Sequence, residues 1–185
     1  MTASTPRRAA QRIRDDVHRI REDTDEAAER YGREDRPFSG YLAVTGAYAA
    51  GLAATALIGR RVGVRLPERV SAADLALLAV ATHKISRIVT KDSVTSPFRA
   101  PFTRFEGQAG PGEVQEDVRG TGLQKALGEL ITCPFCLDQW VATGLLVGLV
   151  VAPRPTRWLA ATFAVRAGAD ALQFAYAALQ QAAED

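Results

Sequence analysis

The stretch from Pro37 to Gly59 contains 23 residues and no charged side chain. A helix of that length reaches about 34 Å, against about 30 Å for the hydrocarbon core of a bilayer. Tyr41 stands near its start and Arg60-Arg61 close it. An aromatic at one interface and arginines at the other fit a membrane span. The alternative is a helix buried in a soluble core, but such helices commonly carry a polar stripe. The interior is rich in Ala and Gly: Gly46, Ala50 and Ala54 stand four apart, as do Ala47 and Gly51. Small residues at that spacing let helices approach closely in lipid, so this face is expected to pack against later helices.

Three further apolar stretches follow. Val70–Val89 contains Asp74, His83, Lys84 and Arg87, and only Leu75–Thr82 is strongly apolar. It reads either as a span with its ionisable groups near the ends or as an interfacial helix. Gln139–Pro153 is uncharged, and Leu130–Leu137 extends it backwards past Asp138, with Trp140 as an interfacial anchor. Trp158–Leu179 contains Arg166 and Asp170, four apart on one helix face, which are expected to pair inside the membrane. The fold class expected is therefore all-α: a small transmembrane helical bundle of three or four spans over residues 37–183. A connector rich in Pro and Gly, at about 90–122, interrupts it. A connection of that length is unusual unless functional or disordered.

Charge is unevenly distributed. Residues 1–38 hold nine Arg and nine acids, and residues 1–36 read as a charged helical tail. Thr5-Pro6 predicts the helix start. Ala10, Ile13, Val17, Ile20, Thr24, Ala27 and Tyr31 then recur at alternating spacings of three and four, a heptad seam. Opposite charges four apart flank it, including Arg12/Asp16, Asp15/Arg19, Arg21/Asp25, Glu26/Arg30 and Glu29/Arg33. Each such pair adds about 0.2–0.5 kcal/mol. The tail reads as a solvated helix or a short self-associating coil, broken by Gly32 and Glu34-Asp35-Arg36-Pro37. The net charge of +2 argues against a nucleic-acid partner, which needs a basic stripe. The polar N-terminus does not read as a cleavable signal peptide, so an internal segment is expected to direct insertion. Basic residues flanking the spans number eight on the side of the tail and connector against six on the other, which favours a cytoplasmic N-terminus.

Two constellations carry potential chemistry. Cys133-Pro134-Phe135-Cys136 places two thiols at the start of a helix. Such a pair serves as packing, as a redox couple, or as half of a zinc site. No strand-helix-strand pattern precedes it, as a thioredoxin-like fold would require. Zinc would need His18, His83 or a second subunit to complete the site. The other constellation runs from Ser86 to Phe102 and joins Arg87, Asp92 and Arg99 where a helix leaves the membrane. It reads as a salt-bridge cluster, or as an anion or lipid-headgroup site with Phe98 and Phe102 in the interface. No catalytic triad, phosphate-binding loop or dinucleotide fingerprint accompanies them.

These motifs together resemble a bacterial membrane family, domain of unknown function 1360, some of whose members are labelled sporulation proteins. The resemblance rests on Ser86-Arg87-Ile-Val-Thr90-Lys-Asp92, then Pro97-Phe-Arg99-Ala-Pro101-Phe102, then Cys133-Pro-Phe-Cys136-Leu-Asp-Gln-Trp140, over roughly residues 70–180. It implies a small multi-span membrane protein and no particular reaction. Asp138 and Gln139 stand where small or apolar residues are expected. The function expected is structural or accessory and non-enzymatic, in the bacterial inner membrane, without a cofactor. The partners are the bilayer and, through the tail seam or the small-residue face, a second copy. The alternatives are a membrane thiol-disulfide oxidoreductase using Cys133 and Cys136, and a metal-binding membrane module.

Overall fold

The computed structural model describes residues 6–31 and 36–184. The expected helix start at Thr5 and the break at Gly32–Asp35 lie outside them, as do the side chains of Glu29, Arg30, Tyr31 and Arg33. The chain is mostly helical. The tail forms α1 (Pro6–Tyr31), with Ile13, Val17 and Ile20 exposed. The charge-free run forms α2 (Phe38–Arg61), and the second apolar stretch forms α3 (Ala72–Lys91). Ser71 caps α3, its hydroxyl accepting from the Asp74 backbone N–H at 3.0 Å and so satisfying one of the orphan amides of the first turn.

The third stretch is split. It forms α5 (Gly122–Thr132) and α6 (Pro134–Val151), with Cys133 between them in an extended conformation. Pro134 has no N–H to continue a helix but suits a first helical position, so the chain restarts there. The last stretch forms α7 (Pro153–Glu184), which turns back on α6 at Ala152. That turn is tight, since a Cβ on Gly148 would lie 2.8 Å from the Thr156 hydroxyl.

The connector departs from the all-α expectation. After a 3₁₀ turn (Ser93–Thr95) and the single helical turn α4 (Ser96–Arg99), it forms an antiparallel hairpin of β1 (Thr103–Gly110) and β2 (Glu113–Val118). Pro111-Gly112 turns the hairpin, with Gly112 at φ +76°, a left-handed conformation that favours glycine. The hairpin tip folds onto the end of α3, where the Ser93 backbone N–H and hydroxyl both donate to the Gly112 carbonyl, at 2.9 and 2.7 Å.

Side-chain contacts fix the helix directions. Tyr41 in α2 reaches Glu129 just before α6, and Tyr48, two turns on, meets Gln139 and Thr143, so α2 and α6 run parallel. Arg157 pairs with Asp74 and Lys84 with Asp170, so α3 and α7 also run parallel to each other. Leu78, Ala81, Leu145, Leu149 and Ala160 form the buried core between α3, α6 and α7. Connector and α5 lie at the end where α2 and α6 begin. Helix α2 approaches α5 closely at Gly40, where a Cβ would stand 2.6 Å from the Gly122 carbonyl oxygen. The expected packing through Gly46 and Gly51 does not occur among the described residues. A Cβ at either position meets nothing within 4 Å, because α2 makes its close contact with α5 one turn or more earlier.

Candidate functional site: the connector and the thiol pair beside it

Arg99 organises the connector. Its guanidinium is buried, and its four donor contacts join the end of α3, the turn that follows it and a residue of β2. Nη1 donates to the Val89 carbonyl at 2.6 Å and the Thr95 hydroxyl at 2.7 Å, Nη2 to the Asp92 carbonyl at 3.0 Å, and Nε to Glu116 at 2.5 Å. A helix leaves its last carbonyls without partners, and a cation there also meets the negative end of the helix dipole. Arg99 therefore closes the end of α3 and, through Glu116, fastens β2 beneath it. In β2, Val114 is buried and Glu116 shares its inward alternation, so a carboxylate occupies a position where an apolar side chain is usual. The buried guanidinium accounts for it.

Three further ion pairs surround this centre. Arg87 holds Glu113 at 2.5 and 3.0 Å. Arg166 reaches the Asp92 carboxylate at 3.3 Å, and Lys84, itself buried, pairs with Asp170. These groups and the hairpin tip line a cleft of about 850 Å³ between α3 and α7, with Phe174 and Ala177 on its apolar wall.

The expected cluster of Arg87, Asp92 and Arg99 is thus brought into one neighbourhood, but with different partners. The Asp92 carboxylate faces Arg166, not two arginines; Arg99 takes its backbone carbonyl, and Arg87 turns to Glu113. The expected pairing of Arg166 with Asp170 is replaced by the cross-helix pairs Arg166–Asp92 and Lys84–Asp170. α7 packs along α3, which offers each charge an opposite one across the interface. Glu113, Glu116, Asp74 and Arg157 were not singled out by the sequence. The Ser71–Asp74 spacing is a capping signature that marks one of them. Asp74 accepts from Arg157 at 2.7 and 2.9 Å at the far end of α3.

Cys133 and Cys136 are free thiols at the break between α5 and α6. The Cys133 sulfur accepts from the Cys136 backbone N–H at 3.2 Å and from the Cys136 thiol at 2.6 Å. Cys133 is half-buried and Cys136 exposed, and both open into a second cleft of about 490 Å³ shared with Arg36, Tyr41 and Glu129. The Tyr41 hydroxyl donates to Glu129 at 2.5 Å, so this residue, expected as a lipid-interface anchor, ties α2 to α5. Trp140 lies edge-on to Tyr48, ring centroids 5.0 Å apart. The Gln139 amide donates to the Tyr48 hydroxyl at 2.7 Å, which gives a polar residue at this helix start a partner. The Asp138 Oδ1 atom is buried without a hydrogen-bond partner among the described residues. His18 contacts Glu22 on α1 and His83 lines the α3–α7 cleft, so neither belongs to the lining of the thiol cleft. Among the described residues, no three His, Cys, Asp or Glu side chains gather in an arrangement that would hold a metal ion.

A family model described as "Protein of unknown function (DUF1360)" matches residues 77–176, from α3 through most of α7. Sporulation protein YjcA of Bacillus subtilis (strain 168) is 28% identical over 94 residues, which make up 49% of this chain and 80% of that relative. No solved structure matches the chain. The family match includes both the connector network and the thiol pair, whereas α1 and α2 lie before it.

Proposed function

We infer a role from the premise that the chain belongs to the DUF1360 family: it is an integral membrane protein of the bacterial inner membrane with a structural or accessory role. The observation that carries this reading is the outward apolar face of α2. It is one of two described helices, with α6, long and apolar enough to cross a membrane. Its Leu42, Leu52, Leu57 and Ile58 are all exposed rather than covered by the protein. In water such a face would be costly, at about 25 cal/mol per Å² of apolar surface, whereas lipid covers it. In this reading α3 and α7 complete a four-span bundle, with Lys84 and Asp170 neutralising each other within it.

The connector then forms a polar cap at the membrane surface, on the same cytoplasmic side as α1. The pairing of Lys84, Arg87, Arg99 and Arg166, each with its own carboxylate, supports a structural use of these charges. The relative's name extends to this chain as a proposed process, sporulation, and as nothing narrower. Washing membranes with alkaline carbonate tests the location: the protein stays in the pellet, and release into the supernatant rejects the reading. Labelling of single cysteines introduced at Ser93 and Arg65, in a chain lacking Cys133 and Cys136, tests the orientation. Ser93 should react only from the cytoplasmic side and Arg65 only from the other.

A further inference from the structure

The thiol pair plays no part in the accessory role, and its surroundings suit chemistry rather than packing. A pair kept for packing would be covered, yet Cys136 is exposed and Phe135 between the two cysteines is 86% exposed. The helix break sets the geometry. Cys133 stands at the cap of α6 with its sulfur turned to the first-turn amide of Cys136, 3.2 Å away, and to the Cys136 thiol, 2.6 Å away. Both donors therefore meet the Cys133 sulfur at the positive end of the helix dipole. The second thiol is already within reach of the first, and both meet an open cleft lined by Arg36, Tyr41 and Glu129.

We propose that Cys133 and Cys136 form a two-electron thiol–disulfide exchange site whose substrate is a disulfide presented at the membrane surface. The Cys133 thiol releases its proton into the cleft, and the thiolate attacks one sulfur of the partner disulfide. A bond forms between Cys133 and that sulfur as the partner S–S bond breaks, and the sulfur that leaves takes up a proton. Cys136 then loses its proton and attacks the Cys133 sulfur. The Cys133–Cys136 disulfide forms, and the second partner sulfur departs and is protonated. The partner gains two electrons and two protons, and the pair loses them. Exposed Phe135 gives the partner an apolar surface beside the reacting sulfurs.

The test uses the full chain in detergent micelles, with glutathione disulfide and disulfide-bonded insulin as separate probes. Products are counted by intact mass after maleimide labelling. The wild type should lose both free thiols together, with no bound adduct. Cys136→Ser should retain a stable mixed disulfide on Cys133, and Cys133→Ser should react at least about tenfold more slowly. Reaction with insulin alone would assign a protein disulfide, and reaction with glutathione disulfide alone a low-mass one. The proposal is overturned if the wild type keeps two maleimide-reactive thiols with both probes, accumulates bound glutathione, or links two chains through a disulfide. The wild-type result decides the matter even where a variant fails to fold, and it is independent of the membrane-extraction result.

Discussion

Helix α2 and the connector both face the surroundings of the protein, and they do so with opposite chemistry. α2 turns Leu42, Leu52, Leu57 and Ile58 outward, while Tyr41 and Tyr48 tie it to α5 and α6. In the connector, Val114 is the buried hydrophobic residue, while Asp92, Arg99 and Thr103 are buried polar ones. An apolar solvent stabilises the first arrangement through composition alone. The second depends on specific pairing, because a buried charge without a partner is far costlier than an exposed apolar side chain. Substitutions should therefore act locally and strongly in the connector, and along α2 only where backbones touch.

The largest effect is expected at Arg99. Arg99→Ala leaves Glu116 buried without its partner and frees the Val89 and Asp92 carbonyls, a loss of about 3–5 kcal/mol from the connector. Residues 100–118 should become open to proteolysis and exchange their amides rapidly, while retention in carbonate-washed membranes is unchanged. Arg99→Lys should fall between, since a single ammonium cannot replace a planar fork that reaches four acceptors. A connector as protected in Arg99→Ala as in the wild type would break the contrast with α2.

That contrast also explains what the sequence made legible. α2 was readable because a charge-free run is a one-dimensional property, and its bounds shifted by only one or two residues, from Pro37–Gly59 to Phe38–Arg61. The tail seam likewise appeared as a helix. The hairpin was not readable: Glu116 breaks the apolar alternation of β2, and only a buried Arg99, 17 residues away, makes a charge acceptable there. Cys133 and Cys136 lie together, and Arg87, Asp92 and Arg99 share the end of α3, because they are close in sequence. The partners Glu113 and Arg166 were not legible, since they arrive from a hairpin and a helix whose placement no local spacing encodes. Arg166 and Asp170 are four apart on one face, yet α7 lies against α3 and each finds a stronger claim across the interface.

Gly40 should show the next largest effect. The Cβ of Gly40→Ala would meet the Gly122 carbonyl oxygen at 2.6 Å and the Ala126 Cβ at 2.8 Å, and a carbonyl cannot rotate away as a flexible side chain would. Overpacking of this kind costs about 1–3 kcal/mol. It should separate α2 from α5, weaken the Tyr41–Glu129 hydrogen bond and lower the thermal midpoint in detergent. An unchanged midpoint would mean that α2 is held elsewhere.

Asp74 offers a smaller effect. Its carboxylate accepts from Arg157 at 2.7 and 2.9 Å and from the Ser71 hydroxyl at 2.9 Å. Asp74→Asn keeps the shape but removes the charge, and should lower the thermal midpoint in detergent only slightly. Arg157 is exposed, so added salt should shrink the difference between the two proteins. Equal midpoints at low salt would remove Asp74 from the account.

The smallest effect is expected at Gly46 and Gly51. A Cβ at either site meets nothing within 4 Å, and alanine suits a helix interior better than glycine by about 1 kcal/mol. Gly46→Ala and Gly51→Ala should therefore leave the monomer unchanged or slightly more stable, in direct contrast to Gly40→Ala on the same helix. Their value lies in what else they would disturb. Small residues spaced four apart are suited to helix–helix contact in lipid, and none of the described residues packs against Gly46 or Gly51. If analytical ultracentrifugation in detergent finds a dimer that Gly46→Ala weakens while the thermal midpoint holds, then α2 meets a second copy through this face. If neither quantity moves, the open face of α2 is covered by lipid alone.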